Sequence, residues 1–310
     1  KVIEAGWAVP KKDAHNNTYD QVILSAFHRA KRLKRGFWQQ GKNELLSRNV
    51  TDGIPSVWKD PDACTFEENH KKADIIFTCL PSLEAAHFVA LDPSKGIIQG
   101  SNVQSIVNLG TTGSQYAKEV SEALMERNIH FLDSPISGGP AGAANATLAV
   151  MCSDHKATYD FLCQKVYPYM SEKQFYVGDD AGMAQVMKLV NNINLFMQLA
   201  GTLESLTLGE KAGLNPSQMI EVINASSGLS RSSQVFIPNN ILSGKFNFGA
   251  SNAILKKDLD LWISEVENYK TPSQVGGATR SIFDEAIKEH GLEADLTTIY
   301  STLKRIASIK

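Results

Sequence analysis

From residue 73 onward the apolar positions switch repeatedly between two periods, and that switching predicts the elements. ADIIFTCLP is a short apolar run ended by Pro81, the pattern of a buried parallel strand. A helix is expected from about Ser82, then a strand in SIVNLG, an amphipathic helix from Thr112 to Arg127 and a strand in IHFLDSPI. SGGPAGAANA reads as a glycine- and alanine-rich loop, and TLAVMCS as one more strand. Strands alternating with helices argue for a parallel sheet of α/β type. After Asp154 no segment reads as a strand, and the remainder is expected to be helical.

Residues 178 to 212 dominate that remainder. Met183, Val186, Met187, Leu189, Val190, Ile193, Leu195, Phe196, Leu199, Leu203 and Leu206 fall too densely for one stripe, which predicts a helix buried nearly all round. About thirty residues at 1.5 Å each give it a length of roughly 45 Å. The shift in composition places a domain boundary near residue 180, with an α/β domain over 1–179 and an all-helical domain over 180–310. Upstream, a short strand is expected through Ala8 and Val9. A helix follows through Val22, Leu24, Phe27, Ala30 and Leu33, and a short surface helix from Pro61 to His70.

Composition changes this picture little. Apolar residues make up 43% and charged residues 21%, ordinary for a soluble globular chain. A formal net charge of −2 gives no reason to expect nucleic acid or an anionic membrane as partner. No apolar run approaches a membrane-spanning length. Cys64, Cys79, Cys152 and Cys163 lack the paired spacing of a zinc site or disulfide framework, so reduced thiols and a cytoplasmic location are expected. A mitochondrial location stays open, because a targeting segment before Lys1 would not be seen. The seven histidines are scattered without metal-like spacing, and no metal is expected.

Three constellations could carry chemistry. Ser137-Gly138-Gly139 follows a strand directly, where loops line the ligand crevice of a parallel sheet, and a hydroxyl with bare backbone N–H groups can hold a carboxylate. Lys188 and Asn192 stand four apart on one face of the long apolar helix, an expensive place for an unpartnered ammonium. Lys256-Lys257-Asp258-Leu259 opens a helix after the loop GKFNFGASN. Singly, each has an ordinary explanation: turn chemistry, a lysine reaching solvent, a charged helix face.

Taken together and in order, LPS at 80–82, Asn108 to Thr111, DSPISGGPAGA, the stretch from Gly178 to Asn192, NASSG at 224–228 and KKDL at 256–259 resemble the β-hydroxyacid dehydrogenases. That group contains 3-hydroxyisobutyrate dehydrogenase, tartronate semialdehyde reductase and 2-(hydroxymethyl)glutarate dehydrogenase. The resemblance covers roughly residues 56 to 310. It implies a Rossmann-type dinucleotide-binding domain joined by a long helix to an all-helical domain for substrate and oligomerisation. It also implies hydride transfer between NAD or NADP and a small β-hydroxy acid or its aldehyde or ketone. On this pattern Lys188 falls on the catalytic lysine, and Asn192 on the asparagine that helps hold substrate. Ser137, Gly138 and Gly139 fall on the substrate-carboxylate loop, and Leu80, Pro81, Thr111 and Lys257 on cofactor-contacting positions. A lysine partly withdrawn from water is a better proton donor near neutral pH, which suits the role. A homodimer or homotetramer is expected.

The chain departs from the pattern at its start. KVIEAGWAV resembles what normally follows the strand and G-x-G-x-x-G loop of the family, so both either lie upstream of Lys1 or are absent. Asp13 sits where an acidic residue would accept a ribose hydroxyl, a slight preference for NAD over NADP that Lys11, Lys12 and His15 nearby oppose. The competing reading is a degenerate relative without the pyrophosphate loop, acting as a non-catalytic binding or scaffolding protein. Intact Lys188, Asn192, Ser137 and Lys257 argue against it.

Overall fold

The structure is a computed structural model that describes residues 73–309 apart from Pro81 and Glu172. The expectations for Ala8–Val9, Val22–Leu33 and Pro61–His70, and the cofactor-contacting roles of Asp13 and Pro81, lie outside those residues. The chain divides into two compact units between Lys188 and Leu189.

Among the described residues the first unit is built on a six-stranded sheet: β1 (Ile75–Thr78), β2 (Ser105–Asn108), β3 (His130–Asp133), β4 (Ile136–Ser137), β5 (Ala149–Asp154) and β6 (Lys173–Gly178). Between them lie α1 (Leu83–Leu91), α2 (Ser114–Met125), the short α3 (Gly139–Ala144) and α4 (Lys156–Lys165). Strands β1, β2 and β3 are parallel neighbours, with Phe77, Val107 and Leu132 in register. Adjacent residues on β2 show why the run is apolar throughout. Ile106 packs with Ala86, Tyr116, Ala117, Val120 and Leu124 on one face, while Val107 packs with Leu132, Val150, Leu162 and Tyr167 on the other. Both faces are covered, as parallel strands require. The Ser82 hydroxyl caps α1 by accepting the Ala85 N–H at 3.1 Å.

Past β3 the chain departs from the expected pattern in four ways. IHFLDSPI is two strands rather than one: β3 ends at Asp133, and β4 resumes at Ile136 beside a different part of β5. Strand β5 runs antiparallel to both, so the sheet is parallel-dominated but mixed. The glycine-rich loop contains α3, and a strand occurs after Asp154: β6 pairs parallel with β5. KQFYVG was unreadable as a strand because it lies at the sheet's edge, opening on exposed Lys173 and leaving Phe175 exposed too.

The long helix α5 spans Met183–Lys211, 29 residues, and the unit boundary falls within it. The second unit continues with α6 (Pro216–Asn224), a π-helical segment (Ser232–Leu242), α7 (Asn252–Tyr269), α8 (Gln274–His290) and α9 (Ile299–Ile306). Phe196, Leu199, Leu203 and Leu206 of α5 repeat at helical spacing and pack with Ile220, Ile237, Leu255, Leu259 and Phe283. The helix is not buried all round, however. Met183, Met187, Val190 and Leu208 are exposed in the single chain, Leu208 to 74%. Among the described residues no helix is long and apolar enough to cross a membrane, and no group of His, Cys, Asp and Glu could hold a metal ion.

Candidate active site

The start of α5 is fixed by polar groups from the carboxyl ends of three strands. A helix begins with N–H groups that have no partner inside it. Here Ala184 donates to the Ser153 hydroxyl at 3.0 Å, and Gln185 donates to the Asp133 carboxylate at 3.1 Å. Gly182, at φ +91°, leads into the helix; a Cβ there would lie 2.8–2.9 Å from Ser114, so only glycine allows this approach.

The Gln185 side chain, completely buried, reaches back to the turn after β2. Its Oε1 accepts the N–H groups of Thr112 (2.8 Å) and Gly113 (3.1 Å). Its Nε2 donates to the Gly110 carbonyl (3.0 Å) and to Asp133 Oδ1 (2.6 Å). Asn108 braces the same turn, donating to the Thr112 hydroxyl at 2.9 Å and accepting the Gly110 N–H at 3.2 Å. Burial of Asp133 pushes its carboxyl up to about 7, although the hydrogen bonds from Gln185 pull the other way. Lys188, one turn beyond Gln185, is 7% exposed and thus buried.

Ser137 ends β4, paired with Ala149 of β5. The backbone then turns through two glycines with positive φ, Gly138 at +130° and Gly139 at +59°. A Cβ on Gly138 would also come within 3.2 Å of Leu148. Ser137 is half-buried and both glycines are exposed, so this turn presents polar backbone at the surface.

In the helical unit, Asn192 donates to Asp258 Oδ2 at 2.7 Å. Lys257 Nζ lies 2.9 Å from Asp258 Oδ1, an ion pair by distance without the alignment of a hydrogen bond. Asp258 is buried on α7, and Lys257 is half-buried beside it. One carboxylate thus holds both polar side chains that the sequence singled out in this unit.

Thr111 thus lies in the turn that Gln185 braces, Lys188 stands three residues further along α5, Ser137 to Gly139 form their own turn, and Asn192 and Lys257 both meet Asp258. Leu80 follows β1 and is half-buried. Sequence reasoning assigned no role to Asp133, Gln185 or Asp258. A signal existed for each: a carboxylate closing an apolar strand, an amide three residues before the lysine on an apolar helix, and the aspartate inside KKDL.

Residues 182–303 match the model for the NAD-binding domain of NADP-dependent 3-hydroxyisobutyrate dehydrogenase. Residues 59–178 match the NAD-binding domain of 6-phosphogluconate dehydrogenase. The 2-(hydroxymethyl)glutarate dehydrogenase of Eubacterium barkeri is 31% identical over 247 residues, covering 78% of this chain and 79% of that protein. This chain belongs to the β-hydroxyacid dehydrogenase family. The mitochondrial 3-hydroxyisobutyrate dehydrogenase of Drosophila melanogaster is 26% identical over 268 residues, covering 84% of this chain and 81% of that one. Among solved structures, the 3-hydroxyisobutyrate dehydrogenase of Mycobacterium tuberculosis with L-serine matches with a TM-score of 0.71 at 25% identity. It covers 80% of this chain and 86% of its own.

As a β-hydroxyacid dehydrogenase, the chain is an oxidoreductase dependent on NAD or NADP. The described residues fit such a cofactor. The turns after parallel strands β1 and β2 stand at the carboxyl ends where open α/β sheets take a dinucleotide. The second turn is braced from within by Asn108 and Gln185, which leaves Thr111 between two fixed peptide groups.

Proposed function

We propose that the enzyme interconverts a small β-hydroxy acid and its aldehyde or ketone, with Lys188 as the proton donor and acceptor. The observation that carries this reading is the burial of Lys188 at 7% exposure on a helix start held by oriented polar groups. The bound nicotinamide supplies and accepts the hydride. The chain must orient the acid and move one proton at its oxygen. An ammonium fixed near that oxygen donates the proton during reduction, and the amine removes it during oxidation. Ser137, with the backbone of Gly138 and Gly139, takes the substrate carboxylate. Its surface position and two left-handed glycines support that role. Asn192 assists in holding substrate, with its amide direction fixed by Asp258. Leu80, Pro81, Thr111, Lys257 and Asp13 contact the cofactor, and Asp13 favours NAD slightly. A homodimer or homotetramer accounts for exposed Met187, Val190 and Leu208; light scattering after gel filtration would check it.

The test is an initial-rate survey with NAD and with NADP. Substrates are 3-hydroxyisobutyrate, 2-(hydroxymethyl)glutarate and L-serine, taken from what the relatives are named for or bound to. Turnover of at least one acid, cut by several powers of ten in Lys188→Ala while cofactor still binds, is the expected result. A variant keeping most of its rate would remove Lys188 from the mechanism.

A further inference from the structure

The Gln185 side chain uses its full hydrogen-bonding capacity. A primary amide has two N–H donors and one oxygen with two lone pairs. All four are used: two donors on Gly110 and Asp133, two acceptor positions on Thr112 and Gly113. The two bonds to Gly110 and Thr112 grip the peptide groups on either side of Thr111. The orientation is unique. Turning the amide over would face its NH₂ toward two N–H groups and its oxygen toward a carbonyl and a carboxylate. Lys188 stands three residues further on, a neighbour on the same helical face. The fifth contact, from the Gln185 backbone N–H to Asp133, fixes the helix turn that carries both.

We infer that Gln185 is a positioning residue that sets the cofactor-contacting turn at Thr111 and the proton-transferring Lys188 in a fixed mutual geometry. This rests on the roles proposed above for Thr111 and Lys188. A methionine would fill the space without any of the four side-chain bonds, and a glutamate would keep the two acceptor positions but not the donors. At neutral pH a glutamate would also set a second carboxylate against Asp133. Taking up one shared proton restores a hydrogen bond between them, so a loss caused by misplacement becomes reversible at lower pH. Asp133 is suited to that sharing, since burial already raises its carboxyl to about 7.

The experiment uses the full chain and its Gln185→Met, Gln185→Glu and Lys188→Ala variants. NADH and NADPH are titrated by fluorescence, and kcat is measured with 3-hydroxyisobutyrate or 2-(hydroxymethyl)glutarate between pH 6 and 8. Gln185→Met should lose about 100-fold in kcat, the scale of an ångström's misplacement, and its cofactor Kd should rise about tenfold. Gln185→Glu should regain activity relative to the parent as pH falls. Folded Gln185→Met with kcat and Kd within about twofold of the parent would overturn the inference. Should that variant not fold, a parent-like pH profile for Gln185→Glu at parent-like rate would do the same. Lys188→Ala separates the two readings. If it keeps its rate the proton role fails, while a raised Kd in Gln185→Met still assigns Gln185 to the cofactor turn.

Discussion

The long helix is held in two different ways along its length. Its first turn is held by directed contacts: Ala184 on Ser153, Gln185 on Asp133 and the β2 turn. From Ile193 onward it is held by shape, with Phe196, Leu199, Leu203 and Leu206 among apolar neighbours. Apolar packing gives free energy but tolerates swaps that keep volume. A buried polar network gives orientation, and each unmatched member costs the full desolvation of its partner. The polar end lies beside the residues proposed for chemistry, where a misdirected side chain is costly. The apolar end anchors the helical unit.

The sharpest way to break this contrast is to change one residue at each end. Lys188→Ala should lower kcat by ~10³-fold, the middle of the range for general acid–base groups, with cofactor affinity and melting temperature little changed. Leu203→Ala, fully buried in the helical core, should do the reverse. It should cost about 3 kcal/mol in urea unfolding and leave kcat/KM unaltered in the folded protein. A large kcat loss from Leu203→Ala would mean that the apolar end also aligns the site.

The polar end should further show itself in how stability depends on pH. The Asp133 carboxyl titrates at about 7 in the folded protein because burial disfavours its charge, against a free value of 3.8. Between those values the folded chain keeps a proton that the unfolded chain has released. Stability therefore falls as pH rises from about 4 to 7. Asp133→Asn removes this titration, so unfolding free energy measured by urea across that window should slope less steeply than in the parent. Some slope remains, because burial raises the Asp154 carboxyl as well. An unchanged slope would mean that Asp133 is ionised throughout.

How far the sequence disclosed all this depends on whether a residue's role is written in its neighbours along the chain. The stripe at 196, 199, 203 and 206 was legible because helical periodicity is local. So was the Ser-Gly-Gly turn, since two adjacent glycines announce a backbone few other residues adopt. Strand β6 was not, because its partners on β5 lie 24 or 25 residues earlier and its exposed edge erases the apolar pattern. The Gln185 network is hidden in the sequence for a related reason. Its partners are 52 to 75 residues away, so an amide on an apolar helix is visible in the sequence while its four bonds are not. Asp258 lies inside KKDL, yet only the fold shows that it anchors Asn192.

The smallest effect expected compares the two glycines of the turn proposed to take the substrate carboxylate. Gly138 and Gly139 both lie at positive φ, but only Gly138 also faces a neighbour, Leu148, at 3.2 Å from an added Cβ; around Gly139 nothing lies within 4 Å. Gly139→Ala should therefore cost only the left-handed backbone penalty, about 1 kcal/mol, and Gly138→Ala about 2 kcal/mol once Leu148 must shift. If the turn takes the substrate carboxylate, both variants should raise KM for the acid more than they lower kcat, with the cofactor KM unmoved. Melting curves and steady-state kinetics on the pair separate the two contributions. Equal stability losses would indicate that Leu148 yields freely, and an unmoved KM for the acid would take the carboxylate away from this turn.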